Sequence, residues 1–456
     1  MDENKKVDIL NRQEFIDRVV QIVNLISSNK GNMTFAIDGA WGCGKTFVLE
    51  EIEKRLSEDA SKKYLVIPYN CWQYDYYDEP LVAIVSALIS FVNKTRRLSA
   101  SKKEKIISVA KEVGKSVLSL GAQYIEKATG VKATQIVDIG KAVTNSVEEA
   151  NAQEVAFDAY IDLRGALKTL KKELSKITEK KTIVFCVDEL DRCLPEYAIK
   201  VLERLHHLTE ELPNTITIIA VDKKRLENTV CSIFGKEDVK EPKKTAEEYL
   251  KKFIRFEMKL DKGKQNGQAF FEKFPEFYNR FDASLYGELN GGEQFIEELF
   301  QDIPIREQEQ IIEKATIFND ICFGSEKQDY SMMYMELFLT ALHYYYHDDS
   351  IFIDGNRVTD LQDLFGHYQR MPKAFSSEKS GFRFRRPSFA SGYPEKRIII
   401  EPNNIFMVVL LYWYHAPEHK DNYYDSDYLP VYLTNARITD NIEKLRRNIQ
   451  VLKIIA

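Results

Sequence analysis

Residues 33–56 read MTFAIDGAWGCGKTFVLEEIEKRL, and no other stretch restricts the fold as tightly. Residues 33–37 have the composition of a short buried strand, residues 39–46 fit GxxxxGK[ST] without a mismatch, and residues 47–56 repeat apolar side chains at helical spacing. Strand, glycine-rich turn and helix in that order make a phosphate-binding loop. Gly39, Gly42 and Gly44 can take positive φ and turn successive backbone N–H groups towards a β-phosphate. The helix opening at Lys45 adds unpaired N–H groups and the positive end of its dipole. Lys45 can reach the β and γ oxygens, and the Thr46 hydroxyl can ligate Mg²⁺. The expected nucleotide-binding set is Gly39, Ala40, Trp41, Gly42, Cys43, Gly44, Lys45, Thr46 and Phe47, with ATP and Mg²⁺ as ligands. Cys43 has two readings: a reactive thiol whose thiolate is favoured by positive surroundings, or an inert one turned into the core.

A second motif, KTIVFCVDELDRC at residues 181–193, supplies carboxylates. Its apolar run, residues 183–187, shows no alternation, as expected of a strand covered on both faces in a parallel sheet. Where a phosphate-binding loop lies beside such a strand, the carboxylate at the strand end holds Mg²⁺ and the next can polarise the attacking water. Asp188 and Glu189 occupy those places, so Thr46 and Asp188 are the expected metal ligands and Glu189 the expected base. Asp191 can instead serve as a plain helix cap. Further strands are expected at residues 64–68 and 215–221, and by period-two alternation along a half-exposed edge at 253–260. A helix is expected from Asn11, with Asn11 as its N-cap. Strands separated by helices mean an α/β fold, here a P-loop core with a parallel sheet flanked by helices.

At 456 residues the chain is too long for one core. Residues 1–97 are expected to hold the N-terminal helix and the first half of the core, 98–154 a helical insertion, 155–260 the second half of the core, and 261–456 a mainly α-helical domain. Sixty-four basic against seventy acidic side chains leave a net charge of −6, which excludes whole-chain attraction to nucleic acid or an anionic membrane. Any such binding has to be local. With no apolar leader after MDENKKVD and no long apolar span, the expected location is cytoplasmic. Six cysteines with no CxxC pair argue against a disulfide frame or structural zinc.

The GAWGCGKT loop, YNCWQY after the second strand, DELDRC, and AEEYLKKF at 246–253 together resemble the KAP family of P-loop ATPases, a branch with AAA+ and STAND-like relatives. The resemblance spans roughly residues 11–318. It implies ATP hydrolysis, a strand interposed between those carrying the loop and the acidic motif, and Asp222 near a sensor position after that strand. Some relatives act in phage exclusion, which implies a role in defence against phage or foreign DNA. Many members insert membrane helices after the loop helix, but residues 98–154 carry too many lysines to span a bilayer. They read as soluble helices that bind a partner or another copy of the chain. Trp72 and Tyr74 are expected to anchor the second strand on its helix.

Charge on the transferred phosphoryl group calls for an arginine. Arg306, opening a helix after residue 304, is the expected choice in cis, and Arg192 or Arg255 in trans, with a salt bridge to Asp191 or Glu196 as the plainer role of Arg192. His343 with His347, and His415 with His419, have i, i+4 spacing without HExxH and read as ordinary side chains. Arg383, Arg385 and Arg386 interleave with Phe382, Phe384 and Phe389, a pattern that suits either a folded surface loop or a nucleic-acid strand. Three functions compete: an ATP-driven switch, a nucleotide-stabilised scaffold with negligible turnover, and a nucleic-acid-remodelling motor.

Overall fold

Seven-residue strands buried on both sides need helices on both faces of their sheet, and the chain alternates accordingly. The computed structural model describes residues 7–76, 79–129, 152–234, 242–281, 296–297, 299–328, 330–347 and 436–455. They divide into two units, residues 13–261 and residues 1–12 with 262–456.

The first unit runs α1 (Gln13–Ser28), β1 (Asn32–Asp38), α2 (Lys45–Glu58), β2 (Tyr64–Asn70), α3 (Pro80–Lys94), α4 (Ala100–Thr129), α5 (Ala152–Thr178), β3 (Thr182–Asp188), α6 (Pro195–Thr209), β4 (Thr215–Val221), α7 (Lys223–Phe234), α8 (Pro242–Leu250) and β5 (Phe256–Lys259). The sheet order is β2-β3-β4-β1-β5, all parallel, so β4 is the interposed strand and β5 the half-exposed edge. Along β3, Val184 and Cys186 pack with α1 and α2 on one face, while Ile183, Phe185 and Val187 pack with α3 to α7 on the other. That two-sided burial explains the missing alternation. At the edge, Phe35 of β1 stacks on Phe256 of β5 with centroids 4.9 Å apart. Within residues 98–154, α4 is followed across residues outside the description by the start of α5. No helix among the described residues is long and apolar enough to cross a membrane.

The strand starts are tied by a buried polar chain. Ser27 Oγ lies 2.6 Å from Thr182 Oγ1, the Thr182 hydroxyl donates to Asn214 Oδ1 at 2.8 Å, and Asn214 Nδ2 donates to the Lys181 carbonyl at 2.9 Å. These groups satisfy one another where water is excluded.

In the second unit the described residues are mainly helical, with Gly267–Lys273, Ile305–Phe323, Tyr330–Tyr344 and Ala436–Asn448 around a core that includes Phe270, Phe300, Phe318 and Phe338. Its buried Glu336 carboxylate accepts both bonds of the Asn319 amide, at 2.9 and 3.1 Å. Asn11 belongs to this unit and is not the N-cap of α1. It has φ 53° and bonds through its side chain to the Lys264 carbonyl and to Asn266, so α1 starts at Gln13.

Candidate nucleotide-binding site

The loop between β1 and α2 is shaped from beneath. A Cβ on Gly39 would lie 2.5 Å from Cys43 Sγ and 3.2 Å from Leu260 Cβ, so only glycine fits. Cys43 is 7 % exposed and packs with Ile37, Val48 and Leu260; the thiol turned into the core is therefore the reading that holds. Gly44, with φ 89°, hands the chain to α2, whose first amides open onto the loop. Phe47 is half-buried against the same cluster, while Ala40 and Trp41 are exposed at the rim.

Lys45 Nζ donates to the Gly39 carbonyl at 2.8 Å and the Ala40 carbonyl at 3.3 Å, and lies 3.8 Å from Asp191 Oδ2. Asp191 Oδ2 also accepts the Asp222 N–H at 3.2 Å. Asp191 is thus a buried counter-charge to Lys45, and not a helix cap. Asp222 itself caps α7, accepting the Arg225 N–H at 3.2 Å.

Asp188 stands at the end of β3 beside the loop. Burial raises its carboxyl pKa, while hydrogen bonds from the Thr46 hydroxyl and the Glu189 N–H oppose the rise. The next residue, Glu189, takes the left-handed conformation with φ 60°. Its Oε2 accepts from Asn70 Nδ2 at 3.0 Å and its Oε1 pairs with Arg192 at 2.6 Å. Asn70 is in register with Asp188 across the β2–β3 pair, which puts its amide at the same level of the sheet. Arg192 lies over the Trp41 ring at 4.7 Å and the Trp72 ring at 5.8 Å, and Arg225 over Trp41 at 4.5 Å. The partner of Arg192 is therefore Glu189, neither Asp191 nor Glu196. Trp72 is 53 % exposed and receives Arg192 instead of anchoring β2; that role falls to Tyr74, stacked on Tyr69 at 5.7 Å.

The site brings together Lys45, Thr46, Asp188, Glu189 and Arg192. It does not include Arg255, which is exposed just before β5, nor is Arg306 part of this unit: it lies in the Ile305–Phe323 helix. His347 falls beyond the helix ending at Tyr344, with φ 54°, so helical spacing does not relate it to His343. His415, His419 and the Arg383 segment lie outside the described residues. Asn70, Glu53 and the pairing of Asp191 with Lys45 escaped sequence reasoning. Asn70 is detectable only through the parallel β2–β3 register. Glu53, on α2, is pushed up to about 7 by burial, by Glu50 and by Asp188, with a Cys186 hydrogen bond pulling the other way.

The set has the chemistry that a phosphate chain with a divalent cation needs: loop amides, one ammonium, and a hydroxyl beside a carboxylate. None of the curated proteins matches the chain. The profile of the KAP family P-loop domain matches residues 12–343, which takes in the whole sheet, the loop and the acidic strand end. With that match over most of its length, the chain belongs to the KAP family of P-loop NTPases and is a nucleotide-binding protein.

Proposed function

We propose that the chain hydrolyses ATP with Mg²⁺ and that the cycle acts as a switch. The observation that carries this is the placement of the Asp188 carboxylate, at the end of β3, beside Thr46 at the start of α2, with Glu189 as the next residue. Thr46 and Asp188 would hold Mg²⁺, which when bound offsets charge on the β and γ oxygens. Lys45 exchanges the carbonyls of Gly39 and Ala40 for phosphate oxygens, a gain in charge-assisted bonding. Glu189 acts as the base that orients and polarises water once one of its oxygens leaves Arg192 or Asn70. Release of that carboxylate is the step at which the switch is set. A further arginine completes charge stabilisation, Arg306 in cis or the exposed Arg255 from a second copy, with ATP promoting self-association. Arg192, already paired with Glu189, fits this part less well.

The test is multi-turnover phosphate release by wild type and Glu189→Gln, with mass measured in ATP. Retained ATP binding with turnover lost supports the reading, and a wild-type rate in the variant overturns it. A second reading, a nucleotide-stabilised scaffold, draws on the same contacts, since a carboxylate engaged on both oxygens is a weak base. Turnover of wild type no faster than that of Glu189→Gln would favour it. The setting we infer is defence against phage or foreign DNA, on family resemblance; equal phage plating with wild type and Lys45→Ala removes it.

A further inference from the structure

β2 and β3 begin at Tyr64 and Thr182, at the end of the sheet opposite the loop. The segments that lead into them, residues 57–63 and 179–182, lie beside the α3–α4 connection, residues 93–105, because the Arg97 guanidinium donates to the carbonyls of Ser57 and Tyr64. The three segments hold ten basic and four acidic side chains, in a chain whose net charge is −6.

The cations sit on a fixed frame. Lys181 Nζ donates to the Lys62 carbonyl at 2.8 Å, the Thr182 N–H donates to the Lys63 carbonyl at 2.8 Å, and the Asn214 amide holds the Lys181 carbonyl from inside. The Lys181 and Arg97 donors go to neutral carbonyls. Among the described residues Lys62, Arg97, Lys102 and Lys181 make no ion pair, although Glu58, Asp59, Glu104 and Glu179 lie in the same segments. An ordinary solvated face looks different: on α1, for example, Arg18 closes on Glu14 one turn away. Crowding has a cost here, since burial and then Arg97, Lys102 and Lys62 lower the pKa of the Lys181 ammonium. Four mutually repelling cations held without a counter-charge are complementary to a polyanion.

We propose that this end of the sheet binds the phosphate backbone of a nucleic-acid duplex. Lys62, Arg97, Lys102 and Lys181 each meet a phosphate, and recognition is independent of sequence because nothing here reaches a base. The same segments present no exposed large apolar side chain, so they lack the stacking rings that single strands need and the apolar face that sits in a lipid surface. This surface shares no residue with the nucleotide site.

The experiment is fluorescence anisotropy of a labelled duplex of about 20 base pairs titrated with the full chain at several salt concentrations. Four phosphate contacts give a log–log salt slope of about −3 to −4. The Lys62→Ala/Lys102→Ala/Lys181→Ala variant is expected to lose more than about tenfold in affinity and to flatten the slope by about 1 for each lysine removed, with ATP binding intact. If that variant does not fold, Lys62→Ala/Lys102→Ala, both exposed positions, is expected to flatten it by about 2. Absence of duplex binding, equal affinity in the variants, or tighter binding to single strands or to phosphatidylserine vesicles each overturns the proposal.

Discussion

At the ends of β1, β3 and β4, Lys45 faces Asp191 and Arg192 closes on Glu189, whereas at the starts of β2 and β3 Lys62, Arg97 and Lys181 have, among the described residues, only carbonyls, or nothing, for partners. One sheet thus carries two kinds of positive charge. A cation already held by a carboxylate must be exchanged when a ligand arrives, so it discriminates for a compact, highly charged ligand in one geometry. A cation on carbonyls keeps its Coulomb attraction to solvent-borne anions and discriminates little.

The sharpest way to break the comparison is Lys45→Ala. It removes the ammonium that trades the Gly39 and Ala40 carbonyls beside Asp191 for phosphate, and ATP affinity by equilibrium dialysis is expected to fall more than about a hundredfold, with duplex anisotropy unchanged. A parallel loss of both would mean that the two ends are not separate. Glu189→Gln comes next, lowering turnover by about two to four powers of ten while ATP affinity stays within a few-fold. Unchanged turnover would leave the acidic end without its distinguishing group. Gly39→Ala tests the packing beneath the loop: the new Cβ meets Cys43 Sγ, so denaturant unfolding should show a loss of about 1–3 kcal/mol. Adding Cys43→Ala should recover part of it, and no recovery would shift the blame to Leu260.

The smallest expected effect concerns Glu53. Its folded-state pKa, about 7, lies above the ordinary 4.5, so the folded chain holds a proton that the unfolded chain has released. Stability therefore falls as pH rises from about 4.5 to about 7, and the penalty is complete above that window. The gain in melting temperature from Glu53→Gln should be larger near pH 8 than near pH 5, and an equal gain at both would contradict the assignment.

Period and motif made the first unit legible. β4 reads as a covered strand at residues 215–221 and is one, and GxxxxGK[ST] places α2 from Lys45. What escaped depended on partners distant in sequence or on local chirality. Asn11 matched a capping pattern, but its amide is taken by Lys264 and Asn266 about 250 residues away, a contact no window contains. Arg192 reads in sequence as an arginine acting in trans, or more plainly as a partner of Asp191 or Glu196, yet the left-handed turn at Glu189 brings that carboxylate round to it. Lys223–Phe234 went unread as a helix because only Leu226 and Val230 mark its buried side. Like charge gathered from three segments, as at Lys62, Arg97 and Lys181, also cancels out of a composition count.

The φ of 60° at Glu189 has a consequence for anyone improving this protein by screening. A side chain with a Cβ costs about 1 kcal/mol or more in that region relative to glycine, and asparagine tolerates it better than glutamate. A library selected for heat resistance should therefore enrich Glu189→Gly and Glu189→Asn, variants that melt later and, on the proposed base role of Glu189, lose most of their turnover. With the proposed base at this position, durability and activity would pull one codon in opposite directions, and rounds of selection would need an activity gate at every step.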